Sequence, residues 1–191
     1  MGKVAWGFTS SIDGFVAGLG HDMEWLSTVA QDENDSDDDV TGGLAAAVGA
    51  IISGRRGYDA ARAQAAERDD LTSSAYGGAW SGTEFILTHR PEELADDPSV
   101  VALNLDVAAG IDRAQQVAGD ADVQIISADI GRQALEVGLI DELQVFVAPV
   151  FLGDGVRIFD VPGGRRVDWE LIGPIPGAER SFGRTYRPRR R

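Results

Sequence analysis

Residues 125–159, IISADIGRQALEVGLIDELQVFVAPVFLGDGVRIF, decide the fold of this chain. The apolar residues 123–126 predict a buried strand, and Asp129 is placed to cap the helix that follows. Gly138 can end this helix because glycine adopts a positive φ without steric cost. Residues 142–150 alternate and then become continuously apolar, as in a second buried strand. The stretch is therefore predicted as strand, helix and strand, followed by a glycine turn and another strand.

The junction between the first of these strands and its helix is a natural place to bind an anion. Free backbone N–H groups and the positive end of the helix dipole both point outward at a helix N-terminus. Ser127, Ala128 and Asp129 occupy this junction. The function of the chain then depends on what the junction holds.

The composition is that of an ordinary globular protein with one hydrophobic core. The chain has 191 residues, 43% of them hydrophobic, which favours a single domain over residues 1–191. It has no apolar run of about 18 residues and no signal peptide at its start, so we expect no membrane partner. Cysteine is absent, which excludes disulfides and thiolate chemistry and fits a cytoplasmic location.

The charge of the chain is strongly negative and unevenly distributed. A formal net charge of −14 argues against nucleic acid as a partner, because phosphate backbones need a positive surface. Residues 32–39, DENDSDDD, carry oxygen ligands of the kind that calcium accepts, but without the spacing of a calcium loop, so a solvated loop or helix end is favoured. The basic tail, residues 187–191, is interpreted as a solvated end. With two histidines and no metal-ligand spacing, we expect no metal site.

Along the chain, strand and helix patterns alternate and the last elements are strands. Strands are predicted at residues 3–8, 15–17, 50–53, 84–87, 100–103, 123–126, 142–150, 166–171 and 180–186. Helices are predicted at residues 22–30, 41–48, 59–68, 107–118 and from 129 to about 137. This order predicts an α/β fold whose sheet is mainly parallel, with antiparallel strands at the C-terminal end.

Three of the predicted strands end in residues that suit a phosphorylated ligand. They are followed by Gly54-Arg55-Arg56, by Thr88-His89-Arg90 and by Ser127-Ala128-Asp129. Ligands of open parallel sheets bind at the carboxyl ends of the strands, so these three segments are predicted to face one cleft. Arginine, histidine and a helix N-terminus all favour an anion there. The alternative, that each segment is an ordinary turn, remains open from the residues alone.

The chain resembles the dihydrofolate-reductase-like family that includes the C-terminal reductase domain of the riboflavin-biosynthesis deaminase/reductase. The resemblance covers nearly the whole chain and implies a three-layer α/β/α fold, NADPH as cofactor and a small pteridine- or pyrimidine-like substrate. It implies an activity like that of 5-amino-6-(5-phosphoribosylamino)uracil reductase or dihydrofolate reductase, in a homodimer. The matching segments are SIDGFVAG (11–18), WL (25–26), GRRGY (54–58), LTHRP (87–91), GLIDEL (138–143) and PVFLGDGVRIF (149–159).

The resemblance also implies roles for individual residues. Arg55 is expected to pair with the 2′-phosphate that distinguishes NADP from NAD. The full set of expected cofactor-binding residues is Ala17, Gly54, Arg55, Arg56, Thr88, His89, Ser127, Ala128, Asp129 and Ile130. The substrate-binding residues are expected to be Phe15, Trp25, Tyr58 and Trp80. Trp80 would cover the pocket from a loop, with a core contact as the alternative.

Asp13 is the candidate catalytic residue, because reduction of a C=N bond needs a proton as well as a hydride. It would position the substrate or relay a proton through water. The alternative is a turn residue whose carboxylate caps the local backbone before Gly14.

The chain departs from the family at residues 126 and 127. The family usually has two glycines after this strand, whereas this chain has Ile126 and Ser127. A side chain there crowds the position that a pyrophosphate needs. A second hypothesis follows from this departure, in which the chain is a non-catalytic ligand-binding or interaction module that has lost the cofactor.

Overall fold

The computed structural model describes residues 1–26, 37–68, 72–175 and 182–189. Its strands are Val4–Ser11 (β1), Phe15–Ala17 (β2), Val48–Gly54 (β3), Thr83–Leu87 (β4), Val100–Leu103 (β5), Asp122–Ile126 (β6), Glu142–Ala148 (β7), Val156–Arg157 (β8), Trp169–Pro174 (β9) and Arg184–Pro188 (β10). Its longer helices are Asp37–Ala47 (α1), Arg55–Glu67 (α2), Val107–Ala118 (α3) and Ala128–Glu136 (α4), with short 3₁₀ turns at Leu19–His21, Ala75–Gly78 and Pro91–Leu94.

Eight strands form one sheet in the order β5-β4-β3-β6-β1-β7-β10-β9. All pairs from β5 through β7 are parallel, and β10 is antiparallel to both of its neighbours. The prediction of a mainly parallel α/β sheet with antiparallel C-terminal strands is confirmed. Strands β2 and β8 pair separately as a small antiparallel ribbon.

The helices cover both faces of this sheet because the crossovers run in two directions. The connection through α2 steps from β3 outward to β4, whereas those through α3 and α4 step from β5 to β6 and from β6 to β7. Right-handed crossovers in opposite directions place their helices on opposite faces. The predicted three-layer α/β/α arrangement follows.

The main core lies between the sheet and helices α3 and α4. Strand residues of one face, such as Trp6, Ile52 and Ile125, pack there against Ile111 of α3 and Ile130 of α4. Each of the three strand residues is almost completely buried. This packing fixes where α4 begins relative to the central strands.

Two helix starts differ from the prediction. α2 begins at Arg55, directly after β3, so Arg55 and Arg56 form its first turn and not a loop. The cap of α4 is Ser127, whose Oγ accepts a hydrogen bond from the Ile130 N–H at 3.4 Å. The prediction that Asp129 caps this helix is wrong, because the strand ends one residue before Ser127 and puts Asp129 inside the first turn. Gly138 follows the end of α4 with a φ of 74°, as predicted.

The remaining differences concern the ends of the predicted segments. β9 continues through Gly173 and Pro174, beyond the predicted strand end at residue 171, because both residues pair with β10 at the edge of the sheet. α1 begins four residues before the predicted helix start at residue 41. Residues 27–30 of the first predicted helix and residues 32–36 of the acidic run lie outside the described residues.

Candidate functional site

A crevice is expected where the connections of two adjacent parallel strands diverge. β3 and β6 are neighbours in the sheet, and their following helices, α2 and α4, leave toward opposite faces. In open α/β sheets such a switch point, at the carboxyl ends of the strands, is where ligands bind. Gly54 and Ser127, the N-cap residues of the helices that follow these two strands, lie at this point.

The two junctions are in close contact. A Cβ atom on Gly54 would lie 3.2 Å from the Ser127 Oγ and 3.6 Å from Cγ1 of Ile130. Gly54 is the N-cap of α2 and has no side chain that could accept a hydrogen bond from the first N–H groups of the helix. Two helix N-termini therefore begin side by side, and their dipoles favour negative charge in the same place. The arrangement fits a diphosphate group.

Ile126 stands directly beside this place. It is the last residue of β6 and pairs with Ser53 of β3. Its side chain is 42% exposed, whereas the preceding residue, Ile125, is completely buried. The Ile126 side chain is thus not packed into the sheet and takes part of the space at the carboxyl end of β6.

Arg55 is held by carboxylates in the structure. Its Nε donates to both oxygens of Asp59 at 2.7 and 2.8 Å, and its Nη1 lies 3.0 Å from Oε2 of Glu93. The hydrogen bond to Asp59 and the charges of both carboxylates raise the pKa of the guanidinium above its usual value. The arginine is charged and oriented at the N-terminus of α2, but any phosphate must compete with these two partners.

The other predicted cofactor residues follow strands that end at the same edge of the sheet, or lie in the first turns of α2 and α4. Thr88 follows β4, where its N–H donates to the Leu103 carbonyl at 3.0 Å and its Oγ1 accepts from the Arg90 N–H at 3.1 Å. His89 and Arg56 are exposed. Asp129 forms an ion pair with Arg132 at 2.7 Å on the surface of α4.

Asp13 is the centre of a separate hydrogen-bonded group after β1. Its carboxylate accepts from Ser11 Oγ at 2.6 Å and from the backbone N–H groups of Leu152 and Gly153 at 3.2 and 2.8 Å. The Ser11 hydrogen bond, with those of Gly153 and Leu152, lowers the pKa of Asp13 to about 2. Asp13 is therefore ionised at neutral pH and joins the β1–β2 turn to the loop after β7. This geometry favours the interpretation as a backbone-binding turn residue over that of a proton donor.

Phe15 and Ala17 lie on β2, next to this group. The guanidinium carbon of Arg157 on β8 sits 4.4 Å from the centre of the Phe15 ring. Both Phe15 and Ala17 are buried, and Ala17 pairs with Val156. The predicted cofactor contact of Ala17 therefore depends on its backbone.

Trp25 is also buried, near the segment that packs against α2. The neighbouring Met23 N–H donates to Oε1 of Gln64 at 2.9 Å, and Gln64 Nε2 donates to the His21 carbonyl at 2.8 Å. Among the residues that the structure describes, the Trp25 Nε1–H has no hydrogen-bond acceptor. A ligand carbonyl would satisfy this donor.

The side chains of Tyr58 and Trp80, two of the predicted substrate-binding residues, each donate a hydrogen bond to another part of the protein. The Tyr58 hydroxyl donates to Asp97, in the segment before β5, and hydrogen bonds from Ser99 and Tyr58 lower the pKa of Asp97 to about 2. Trp80 Nε1 donates to the Val48 carbonyl at 2.8 Å, at the first residue of β3. Val48 lies at the opposite end of the strand from Gly54. This contact favours the alternative, a packing role for Trp80, over the predicted cover of the pocket.

Comparison with known families agrees with this architecture. The model of the RibD C-terminal domain matches residues 82–174 of the chain. The predicted family resemblance is confirmed. A search of curated proteins finds no match.

Solved structures of related architecture extend the likeness to the whole chain. A provisionally named riboflavin biosynthesis protein from Shewanella sp. PV-4 is 21% identical, with a TM-score of 0.69 over 98% of this chain and 99% of that chain. The diaminohydroxyphosphoribosylaminopyrimidine deaminase/5-amino-6-(5-phosphoribosylamino)uracil reductase from Thermotoga maritima is 13% identical, with a TM-score of 0.62; the chain spans 98% of its own length and 57% of that one. Dihydrofolate reductase from Enterococcus faecalis, complexed with NADP(H), is 11% identical, with a TM-score of 0.57 over 98% and 97%. At these identities the likeness shows the fold.

Two residues near the predicted site were not singled out from the sequence. Glu93 contacts Arg55 across the ends of β3 and β4, and Arg157 stacks on Phe15. Glu93 is one of two adjacent glutamates in an acidic chain, and nothing in its local pattern marks it. Arg157 lies in the family segment 149–159, directly after the glycine turn. A basic residue at the end of that turn was the signal that could have pointed to it.

No helix among the described residues is long and apolar enough to cross a membrane. Over the same residues, no group of three metal-ligating side chains comes together.

Proposed function

We propose that this chain is an NADPH-dependent reductase that transfers a hydride to a small pteridine- or pyrimidine-like heterocycle. The observation that carries the proposal is the pair of adjacent helix N-termini at the β3–β6 switch point, beside Arg55. The match to the RibD C-terminal domain and the fold shared with a dinucleotide-binding dihydrofolate reductase support it.

The cofactor phosphates would lie against the first turns of α2 and α4. Gly54 leaves room for them, because a side chain at this position would approach Ser127. The backbone N–H groups of Ala128 and Asp129 would donate to the diphosphate, and Arg55 would face the 2′-phosphate. NADPH supplies the hydride when it is bound. The chain itself would bind the cofactor and the substrate, orient them toward each other and exclude water from the site.

The substrate would lie toward β2 and the turn that contains Asp13. Because Asp13 is ionised at neutral pH, we assign it the role of a positioning residue that fixes the Leu152–Gly153 backbone beside Phe15. The buried Trp25 Nε1–H would donate to a carbonyl of the heterocycle. Arg157, stacked on Phe15, would add a positive charge at the same end.

Titration of the chain with NADPH and with NADH, followed by calorimetry and by tryptophan fluorescence, tests the proposal. We expect saturable binding of NADPH with a dissociation constant below about 1 mM, the upper range of enzyme Michaelis constants. Arg55→Ala should weaken NADPH binding much more than NADH binding. The matched control is Arg113→Ala, which removes an exposed arginine of α3. If about 1 mM NADPH gives no saturable signal, the chain is not such a reductase.

A second candidate function is a ligand-binding or interaction module without catalysis, and the exposed Ile126 side chain favours it. Replacing Ile126 by glycine removes the obstruction and leaves the Ser127 cap of α4 in place. If NADPH binds only to Ile126→Gly, the native chain is a module that has lost the cofactor. If native protein and Ile126→Gly both bind NADPH, the reductase proposal stands. Ile126→Val, which keeps a branched side chain, should behave like the native protein.

We further propose that the chain forms a homodimer. β9 is the edge strand of the main sheet, and its Leu171 and Ile172 are both exposed. An open edge with apolar side chains favours pairing with another strand. In such a homodimer, the β9 edge of one copy would pair with a second copy of the chain.

A further inference from the structure

One carboxylate lies between two arginines at the edge of the crevice. Oε2 of Glu93 is 3.0 Å from Nη1 of Arg55, and Oε1 is 2.7 Å from Nη1 of Arg90. Both oxygens of the same carboxylate are thus engaged by guanidinium groups. The three residues come from separate segments, namely the first turn of α2, the residues after β4 and the 3₁₀ turn Pro91–Leu94.

The position of this group is set by the sheet. β3 and β4 are adjacent and parallel, and Gly54 is in register with Leu87. Arg55 therefore follows the end of β3 and Arg90 follows the end of the neighbouring β4. In parallel sheets that bind dinucleotides, an acidic residue or an arginine in this region contacts the ribose 2′-hydroxyl or the 2′-phosphate.

Glu93 satisfies the two arginines incompletely. The Arg55 Nη1 is buried and lies within ionic distance of Glu93, yet it has no aligned hydrogen bond to any described residue. Arg90 is 68% exposed, and exposed ion pairs of this kind contribute little stability. A phosphate monoester offers three acceptor oxygens and up to two negative charges, so it matches two guanidiniums better than one carboxylate does.

We propose that Glu93 is the residue that sets the preference between NADPH and NADH, an inference that rests on the proposed function. With NADH, the Glu93 carboxylate stays between the arginines and accepts a hydrogen bond from the ribose hydroxyl. With NADPH, the 2′-phosphate must displace this carboxylate from Arg55 and Arg90 and then remains close to its charge. Glu93 therefore weakens NADPH binding and narrows the difference in affinity between NADPH and NADH.

The test compares native protein with Glu93→Gln, which keeps the size of the side chain and removes its charge. Glu92→Gln is the matched control, since Glu92 is exposed in the same turn. Dissociation constants are measured by calorimetry at low salt for NADPH, NADH, adenosine 2′,5′-bisphosphate and adenosine 5′-monophosphate. Thermal melting of each variant verifies that it is folded.

We expect Glu93→Gln to bind NADPH and the 2′,5′-bisphosphate about tenfold more tightly, because a like charge next to the phosphate has been removed. The affinity of Glu93→Gln for NADH and the 5′-monophosphate should be the same as that of native protein or lower. Glu92→Gln should change none of the four dissociation constants. An unchanged ratio of NADPH to NADH affinity in Glu93→Gln overturns the inference and leaves the proposed function intact. Absence of nucleotide binding in every variant overturns both.

Discussion

The indole ring of Trp6 fills the space that a side chain at residue 131 would need. A Cβ atom on Gly131 would lie 2.1 Å from Cε2 and 2.3 Å from Nε1 of Trp6, which is itself only 2% exposed. Gly131 is in the second half of the first turn of α4, and its N–H donates to the Ser127 carbonyl at 3.0 Å. The central strand β1 thereby sets how closely the N-terminus of α4 approaches the sheet.

Replacement of Gly131 by alanine should destabilise the protein by about 1–3 kcal/mol, because Trp6 is fully packed and cannot move away without strain. Urea unfolding followed by circular dichroism measures the change. Gly57→Ala is the control in α2, where a Cβ meets no atom within 4 Å. It should stabilise the protein by about 0.5–1 kcal/mol through helix propensity. Equal stabilities for the two variants would contradict the Trp6 contact.

Replacement of Asp13 by asparagine should loosen the loop after β7. The carboxylate accepts from Leu152 and Gly153 with different oxygens, whereas an amide has only one acceptor oxygen. One of the two N–H groups then loses its partner, and we expect its amide exchange to become about tenfold faster. Hydrogen exchange followed by NMR at Leu152 and Gly153 measures this. Unchanged exchange at both residues would show that the carboxylate does not hold the loop.

The same carboxylate predicts a dependence of stability on acid. The folded-state pKa of Asp13 is about 2, below its ordinary value of 3.8, so ionised Asp13 favours the folded state. This contribution is fully present above the ordinary pKa and is lost as the pH falls through the folded-state value. The difference in unfolding free energy between native protein and Asp13→Asn should therefore be constant near neutral pH and shrink from about pH 4 to pH 2. Asp112→Asn, on the exposed surface of α3, is the control.

Glu84 predicts the opposite dependence of folding stability on pH. Burial raises its pKa above the ordinary value of 4.5, and Ser53 Oγ donates to it at 2.7 Å. Its ionised form disfavours folding at neutral pH, and this cost is relieved as the pH falls through the raised pKa toward 4.5. Glu84→Gln, which can still accept from Ser53, should therefore be more stable than native protein at neutral pH, and its advantage should decrease on acidification. A constant advantage from neutral pH down to pH 4.5 would contradict the raised pKa.

A lysine at Leu171 should break the proposed homodimer. A charge on the exposed edge strand opposes pairing with a second copy, and we expect dimer affinity to fall by at least about tenfold. Light scattering over a range of protein concentrations measures the oligomeric state. Val101→Lys, an exposed apolar residue on the opposite edge strand β5, is the control and should leave the dimer intact. Native protein that is monomeric at about 100 µM would show that no such dimer forms.

The sequence predicted the elements better than the contacts between them. The C-terminal ends of β4 and β6, at Leu87 and Ile126, were predicted to the residue and their starts to within one residue, because apolar runs bounded by polar residues carry a strong signal. Ser127 and Asp129 are both good capping residues, and the choice between them depends on where the preceding strand stops. Sequence patterns alone could not make that choice.

Contacts between distant segments could not be predicted from local patterns. The bridge from Arg55 to Glu93 depends on the register of β3 with β4, and the placement of Trp80 depends on which end of β3 its loop meets. Both are properties of the assembled sheet. The role of Asp13 was left between two alternatives because only the position of the Leu152–Gly153 backbone distinguishes them.

The order of strands in the sheet also constrains how the chain folds. β1 is the earliest strand of the sheet in the sequence, yet Val4 pairs with Val123 and Ala5 pairs with Glu142. Such pairing between distant segments slows folding, because a large loop must close before the contacts form. A chain interrupted before Asp122 would leave Val4, Ala5 and Trp6 without either partner strand. During synthesis, this apolar segment therefore stays open to aggregation and proteolysis until β6 and β7 have been made.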